Sequence, residues 1–370
     1  MTNKMIYIHI PFCDSKCYYC NFCSGVYGDK TKEEYFENLI LEIKNSSNKN
    51  TTISSIFIGG GTPSSVSKKY IEQIIETIKN CFNVNQNAEI TIEANPCSVT
   101  LDKLQKYKEI GINRISFGVQ SLDEKCLKLI GRKHTSKQAI NAIKLAKIAG
   151  FTNISCDVLI GIPNQTYRIL KNTVKTLLKQ EITHISCYML INEDGTLLTK
   201  QIKENKVEIV DDDKCVKFYN KLNMFLSQKN FFRYEISNFS KIGYECKHNC
   251  GYWDLTEYYG FGLSAHGFID GRRYENVENI NKYLHGEFCN NVETLSNNEI
   301  IEELIMLGLR TKQGVSVKRL KDFGYDIFKN KNETLQILKN NGFIDYNKEF
   351  IFITKDYFGI CNNIILKLLP

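Results

Sequence analysis

Residues 5–23 read MIYIHIPFCDSKCYYCNFC. Met5, Ile6, Tyr7, Ile8 and Ile10 are apolar on both faces, the pattern of a strand buried inside a parallel sheet. The run leads into a cysteine cluster and not into a small-residue cleavage site, so it reads as a first core strand and not as a signal peptide. Cys13, Cys17 and Cys20 follow in CxxxCxxC spacing. Three thiolates in a tight loop can each ligate one iron of a 4Fe–4S cubane, leaving the fourth iron open. An open iron can take a small chelating molecule, which is what reductive cleavage of S-adenosylmethionine (SAM) requires. Structural zinc usually brings CxxC pairs separated by a longer loop, so the spacing argues against zinc. Cys23 stays open between a fourth ligand, an accessory thiol and a bystander.

Outward from this stretch, short apolar runs alternate with helical patterns. Strands are expected at 5–10, 53–58, 88–93, 112–117, 154–159 and 184–189. Between the first two, Thr31 and Glu34 form a capping box ahead of Phe36, Leu39, Ile40 and Ile43. Ile71, Ile74, Ile75 and Ile78 make one apolar helix face. A third helix starts near Thr100, carries Leu101, Leu104 and Tyr107, and stops at Gly111. A fourth, capped by Ser136, buries Ile140, Ile143 and Ala146 and ends at Gly150. A fifth turns Leu170, Val174 and Leu177 or Leu178 inward. Repeated strand–helix–strand units with doubly apolar strands imply an α/β fold whose right-handed parallel sheet closes fully or partly into a barrel. The distinctive motifs fall at the C-terminal strand ends, where such sheets bind ligands.

Beyond this core, 214–226 reads as a helix and 231–236 as an edge strand. The stretch 237–270, rich in aromatics, Gly and Cys without a clean period, reads as a functional loop. From about 297, two or three helices and a β-hairpin suggest a small winged-helix-like module. The expected division is 1–230 (core barrel), 231–295 (edge strand and connecting region) and 296–370 (small C-terminal domain). With 42% hydrophobic and 24% charged residues, the 370-residue chain can build a sizeable core. Its net charge of +7, spread along the sequence, points to no nucleic-acid partner, though it tolerates an anionic ligand or membrane surface. No stretch is long and apolar enough to span a bilayer, which implies a cytoplasmic protein. Fourteen cysteines are many for a reducing compartment, but those such as Cys156 and Cys187 inside apolar strands read as buried thiols.

YIHIPFC with CxxxCxxC, then GGGTP, IEANP, SFGVQS and D-LIGIP in that order, resembles radical SAM proteins related to oxygen-independent coproporphyrinogen III oxidase. The resemblance spans nearly the whole chain. It implies a partial (β/α)6 radical SAM barrel with Cys13, Cys17 and Cys20 on the cluster and Tyr7 lining the SAM site. Gly59, Gly60, Gly61 and Thr62 follow the second strand, and three glycines allow close backbone approach to the amino-acid end of SAM. Glu93, Gln120, Arg132 and Asp157 match family residues that contact SAM. A zwitterion carrying a ribose diol needs a cation and several acceptors. Asp157 is otherwise a turn cap and Arg132 a surface ion pair.

Two features separate a carrier from a decarboxylase in that group. The decarboxylases place their extra cysteine two residues after the third ligand, where this chain has Phe22. Their N-terminal extension has only residues 1–4 as its counterpart here. The sequence CKHNCGYW, residues 246–253, matches the HNxxYW pattern of the haem-chaperone branch. In that branch's terms His248, taken as an exposed imidazole, ligates haem iron, and Tyr252 and Trp253 stack on the porphyrin. A merely hydrogen-bonded His248 is the plainer alternative. Cys246, His248 and Cys250 on one face of an extended loop suggest a competing metal site or a thiolate for haem. His266, in GFGLSAHGF, is a second-choice haem ligand. The expectation is a haem chaperone with a 4Fe–4S cluster and SAM. It would deliver haem to haem-requiring membrane proteins, by peripheral contact, as monomer or homodimer. The alternative is anaerobic oxidative decarboxylation of coproporphyrinogen III.

Overall fold

The computed structural model describes residues 3–370; Met1 and Thr2, half of the short leader expected before the first strand, lie outside them. Six strands follow one another in both sequence and space: β1 (Asn3–Ile10), β2 (Asn48–Gly60), β3 (Phe82–Ala94), β4 (Arg114–Gln120), β5 (Asn153–Ile160) and β6 (His184–Met189). Every neighbouring pair among them is parallel. The crossovers carry α1 (Asp29–Asn45), α2 (Lys68–Cys81), α3 (Leu101–Glu109), α4 (Glu124–Leu129), α5 (Ser136–Ile148) and α6 (Tyr167–Leu178). This is the expected partial (β/α)6 barrel.

The helices form because their apolar faces have a sheet to cover. In α2, Ile71, Ile74, Ile75 and Ile78 are fully buried, each contributing roughly 1.5–3 kcal/mol relative to exposure. In α6 it is Leu177, not Leu178, that turns inward. Two caps differ from expectation. Helix α1 begins at Asp29 after Gly28, two residues ahead of Thr31, so the Thr31–Glu34 capping box does not form. Helix α5 is capped by Thr135, whose side chain accepts from the Gln138 N–H while Gln138 answers to the Thr135 N–H. Ser136 is instead tied to Glu124.

After β6 come α7 (Leu197–Lys203) and α8 (Asp212–Ser227). The expected 231–236 strand shrinks to β7 (Phe232–Arg233), which pairs antiparallel with β8 (Asn238–Ser240) at the sheet edge. The segment read as a loop is structured. It contains α9 (Lys247–Trp253), β9 (Tyr258–Phe261) and β10 (His266–Ile269), continued by β11 (Arg272–Asn276), α10 (Ile280–Leu284) and β12 (Cys289–Thr294). Strand β9 lies parallel beside β1, so the barrel sheet grows to twelve strands in the order β12-β11-β10-β9-β1-β2-β3-β4-β5-β6-β8-β7.

The C-terminal part adds α11 (Asn297–Gly308), β13 (Val315–Ser316), α12 (Val317–Asp322), α13 (Ile327–Asn330), α14 (Asn332–Asn340), β14 (Ile344–Tyr346), β15 (Phe350–Ile353) and α15 (Cys361–Leu368). The anticipated hairpin β14–β15 gains β13 as a third strand and is followed by the unanticipated α15. This module packs its own apolar cluster around Ile305, Leu309, Leu320 and Ile351. Among the described residues no helix is long and apolar enough to cross a membrane.

Candidate functional site: a cluster-binding barrel mouth

The cysteine loop is laced to the strand ends by backbone bonds. Cys13 N–H donates to Gly25 O and Gly25 N–H to Pro11 O, both at 2.9 Å, while Gly61 and Thr62 N–H reach back to Ile10 O and Phe12 O at 2.8 Å. Tyr18 N–H holds Ile130 O, and Leu198 N–H holds Tyr18 O. The loop is therefore clamped over the C-terminal ends of β1 and β2 and against the turn after α4.

Cys13, Cys17 and Cys20 line one cavity of about 520 Å³ together with Gly60, Gly61, Thr62, Glu93, Gln120, Arg132 and Asp157. Thr62 Oγ1 lies 3.4 Å from Cys13 Sγ. Arg132 Nη1 donates to Cys17 Sγ at 3.4 Å, and its Nη2 holds Gly118 O. Arg132 is thus a half-buried cation facing the cysteine loop, not a surface ion pair. Glu93 Oε2 accepts the Gly60 N–H at 3.2 Å, and Ser116 Oγ donates to Asp157 Oδ1 at 3.2 Å. Burial, with Asp157 nearby, pushes the Glu93 carboxyl up to about 8, and burial likewise raises Asp157. Gly60 has φ +111°, and a Cβ there would sit 2.7 Å from the His9 ring, so no larger residue fits this turn. Gln120 also adopts positive φ.

Sequence reasoning passed over three contributors. Arg114, buried at the start of β4, lines the cavity floor beside Ser116 and Ser186; a lone arginine inside an apolar run was the available signal. Tyr188 and Met189, exposed at the end of β6, and Ile191 just beyond it form an apolar rim with Phe22. His9 rivets the loop: its Nε2 donates to Cys23 O at 2.8 Å while its Nδ1 accepts from Tyr7 Oη at 3.1 Å.

The remaining residues lie elsewhere. Tyr7, Cys23, Tyr252 and His266 line an adjacent cavity of about 670 Å³, which shares Lys16, Asn21 and Phe22 with the first. The Cys23 thiol points to Glu278 O at 3.8 Å, away from the other three. Gly59 lies against Glu93 and Phe57. His248 is not the exposed imidazole expected. It is 1% exposed, stacked on Phe57, with Nδ1 2.9 Å from Ser55 Oγ and Nε2 3.0 Å from Tyr252 Oη. Burial, aided by Arg114, lowers its pKa to about 3. Nor do Cys246, His248 and Cys250 share a face of an extended loop, because His248 and Cys250 lie within α9 and Cys246 caps it. Cys246 instead donates its thiol proton to Glu89. Within α9, Asn249 faces the cluster cavity, whereas Cys250 and Trp253 face a third cleft against the C-terminal module.

Comparison with known proteins places the chain by family and fold. The Radical SAM superfamily profile matches residues 7–177, and the HemN C-terminal domain profile matches residues 295–356. "Heme chaperone HemW" of Lactococcus lactis is 35% identical over 98% of this chain and 96% of its own length. The Bacillus subtilis protein of the same name is 34% identical over 95% of each. In structure, the chain is similar to the radical SAM enzyme coproporphyrinogen III oxidase (HemN) of Escherichia coli, with a TM-score of 0.86 at 21% identity, covering 100% of this chain and 90% of the other. The radical SAM fold implies SAM and a 4Fe–4S cluster, and the cavity suits them: three thiols, a glycine turn, a half-buried cation and two carboxyls meet in one place. With near-full-length relatives above 30% identity, the chain belongs to the HemW family of the radical SAM superfamily.

Proposed function

We propose that this protein is a cytoplasmic haem chaperone that holds a SAM-coordinated 4Fe–4S cluster, binds haem through the α9 region and delivers it to membrane haemoproteins by peripheral contact. The observation that carries the cluster half is the set of buried polar atoms left without partners around the three thiols. Among the described residues, Gln120 Oε1, Arg132 Nε and Arg114 Nε all lack a hydrogen-bond partner. Leaving such groups unpaired costs about 1–3 kcal/mol each. A bound zwitterion with a ribose diol would satisfy them.

In this reading Cys13, Cys17 and Cys20 hold three irons, and Cys23 stands apart as an accessory thiol. The cluster, when bound, supplies the electron that cleaves SAM. The Gly59–Gly61 turn lets backbone groups approach the amino-acid end, Glu93 accepts from its ammonium, and Arg132 faces its carboxylate. Gln120 and Asp157 serve the ribose and nearby polar groups, while Thr62 steadies Cys13. Tyr7 lines the neighbouring wall and fixes His9.

The haem half is supported by the names of the near-full-length relatives and by the aromatic pair Tyr252 and Trp253 on α9. The test is an anaerobic haem titration of the cluster-reconstituted chain followed by its Soret band, then transfer to an apo-haemoprotein in vesicles. Saturable, stoichiometric binding with transfer is expected. Absence of specific binding, or turnover of coproporphyrinogen III with SAM and a reductant, would overturn the reading.

A further inference from the structure

The GRKH loop, residues 131–134, holds two side chains against the end of β4. Arg132 Nη2 donates to Gly118 O, and His134 Nε2 lies 3.1 Å from Val119 O. A carbonyl only accepts, so the histidine carries its proton on Nε2. His134 is 2% exposed, outside the lining of the cluster cavity, and its Nδ1 has no partner among the described residues. Burial, then the Arg132 charge, lower its pKa to about 4 against the opposing pull of Val119 O and Glu124, so the ring stays neutral.

The strand end it grips is irregular. The β4–β5 register runs from Gly118 opposite Asp157 to Gln120 opposite Val158, so Val119 is an extra residue bulged out of the ladder. Its carbonyl takes the Ser121 N–H at 2.7 Å, while Gln120 between them has φ +64°. This is the pattern of a γ-turn with positive φ, a rare and strained conformation for a residue other than glycine. Such a conformation persists only where its surroundings hold it. Gln120 leaves the turn facing the cavity beside Gly118 and Arg132. His134 gives a second donor to the carbonyl at which bulge and turn meet.

We propose that His134 is a positioning residue for SAM binding: through Val119 O it holds Gln120 in its left-handed turn and keeps Arg132, two residues away, set against Gly118 O. This rests on the SAM-binding reading of the cavity and adds a residue that does not touch the ligand. A histidine kept for stability alone would not leave a buried nitrogen unpaired while holding a glutamine at positive φ. The arrangement lowers stability and fixes Gln120 and Arg132 before the ligand arrives.

The test uses the full, cluster-reconstituted chain as wild type, His134→Leu and His134→Gln, read by SAM equilibrium dialysis, iron content and thermal melts. Leucine fills the space without a donor, and the glutamine amide reaches as far as Nε2. His134→Leu should keep its iron and melt no lower than wild type, because Val119 O retains the Ser121 N–H and the unpaired Nδ1 is gone. It should bind SAM about tenfold more weakly, the worth of one well-placed hydrogen bond. His134→Gln should recover most of that affinity. SAM binding by His134→Leu equal to wild type, loss of its iron, a fall in affinity that tracks a fall in melting temperature, or no recovery with glutamine overturns the inference and leaves the SAM-binding reading standing. A wild type that binds no SAM overturns both.

Discussion

Replacing Glu93 with glutamine should make the cluster-free protein more stable, and increasingly so as pH rises. Glu93 sits near the end of β3 with its carboxyl withdrawn from solvent, next to the half-buried Asp157, and among the described residues receives only the Gly60 N–H. Burial therefore raises its pKa from 4.5 to about 8 in the folded chain. Below about 4.5 both folded and unfolded states carry the proton and no penalty exists. Between those values the unfolded chain has lost the proton that the folded chain keeps, so stability falls by about 1.4 kcal/mol per pH unit. Over the whole window from 4.5 to about 8 the ceiling is about 5 kcal/mol, and above it the penalty is constant. Glutamine keeps an acceptor for Gly60 and has no charge to desolvate. Urea denaturation of wild type and Glu93→Gln at about pH 5, 6.5 and 8 gives the free energies directly. The two proteins should diverge progressively, with wild type falling behind. Parallel stability curves across this range would refute the argument, because they would mean that the carboxyl is hydrated or compensated in the folded cavity.

Other substitutions test other parts of the site. Gly60→Ala forces a Cβ to within 2.7 Å of the His9 ring at φ +111°, so a loss of about 1–3 kcal/mol in urea melts is expected, together with weakened SAM binding by equilibrium dialysis. Cys23→Ala should keep the full iron and sulfide content after reconstitution, since this thiol faces Glu278 O and not the other three; Cys17→Ala should not, by the same iron assay. Tyr283→Phe removes the hydroxyl that donates to the buried Glu42 carboxylate at 2.6 Å, leaving that carboxylate with the Gly262 and Asn276 donors. A loss of about 1–3 kcal/mol is expected in chemical denaturation at neutral pH.

The fold was legible wherever one periodicity ruled a segment. The four isoleucines of α2 and the doubly apolar runs of β1 and β5 could satisfy only a helix face and buried parallel strands. Strand ends were not legible. β2 starts at Asn48 with a polar stretch, Asn-Lys-Asn-Thr, that no hydrophobic pattern marks, because there the strand runs beyond the core to pair with β3 from Phe82 onward. The missing capping box in α1 shows the same limit at a helix: the chain enters the helix at Asp29, and a capping sequence already inside a helix has no free N–H groups left to hold. Strand β9 was hidden for a different reason. Its residues Tyr258–Phe261 carry a glycine, Gly260, where a Cβ would collide with the His266 backbone, so close approach of two chain segments overrode strand propensity.

The cysteine loop and α9 show why one motif kept its sequence reading and the other did not. In the loop, no regular periodicity constrains side-chain direction, and backbone bonds to Pro11, Gly25 and Ile130 fold it back so that residues 13, 17 and 20 converge on one cavity. Contiguity in sequence there becomes contiguity in space. Helix α9 does the opposite. Its fixed turn per residue distributes seven consecutive residues around a cylinder. His248 then braces β2, Asn249 reaches the cluster cavity, Tyr252 closes the neighbouring cavity, and Cys250 with Trp253 faces the C-terminal module. A sequence motif read as a single binding surface thus becomes a hub with four separate surroundings.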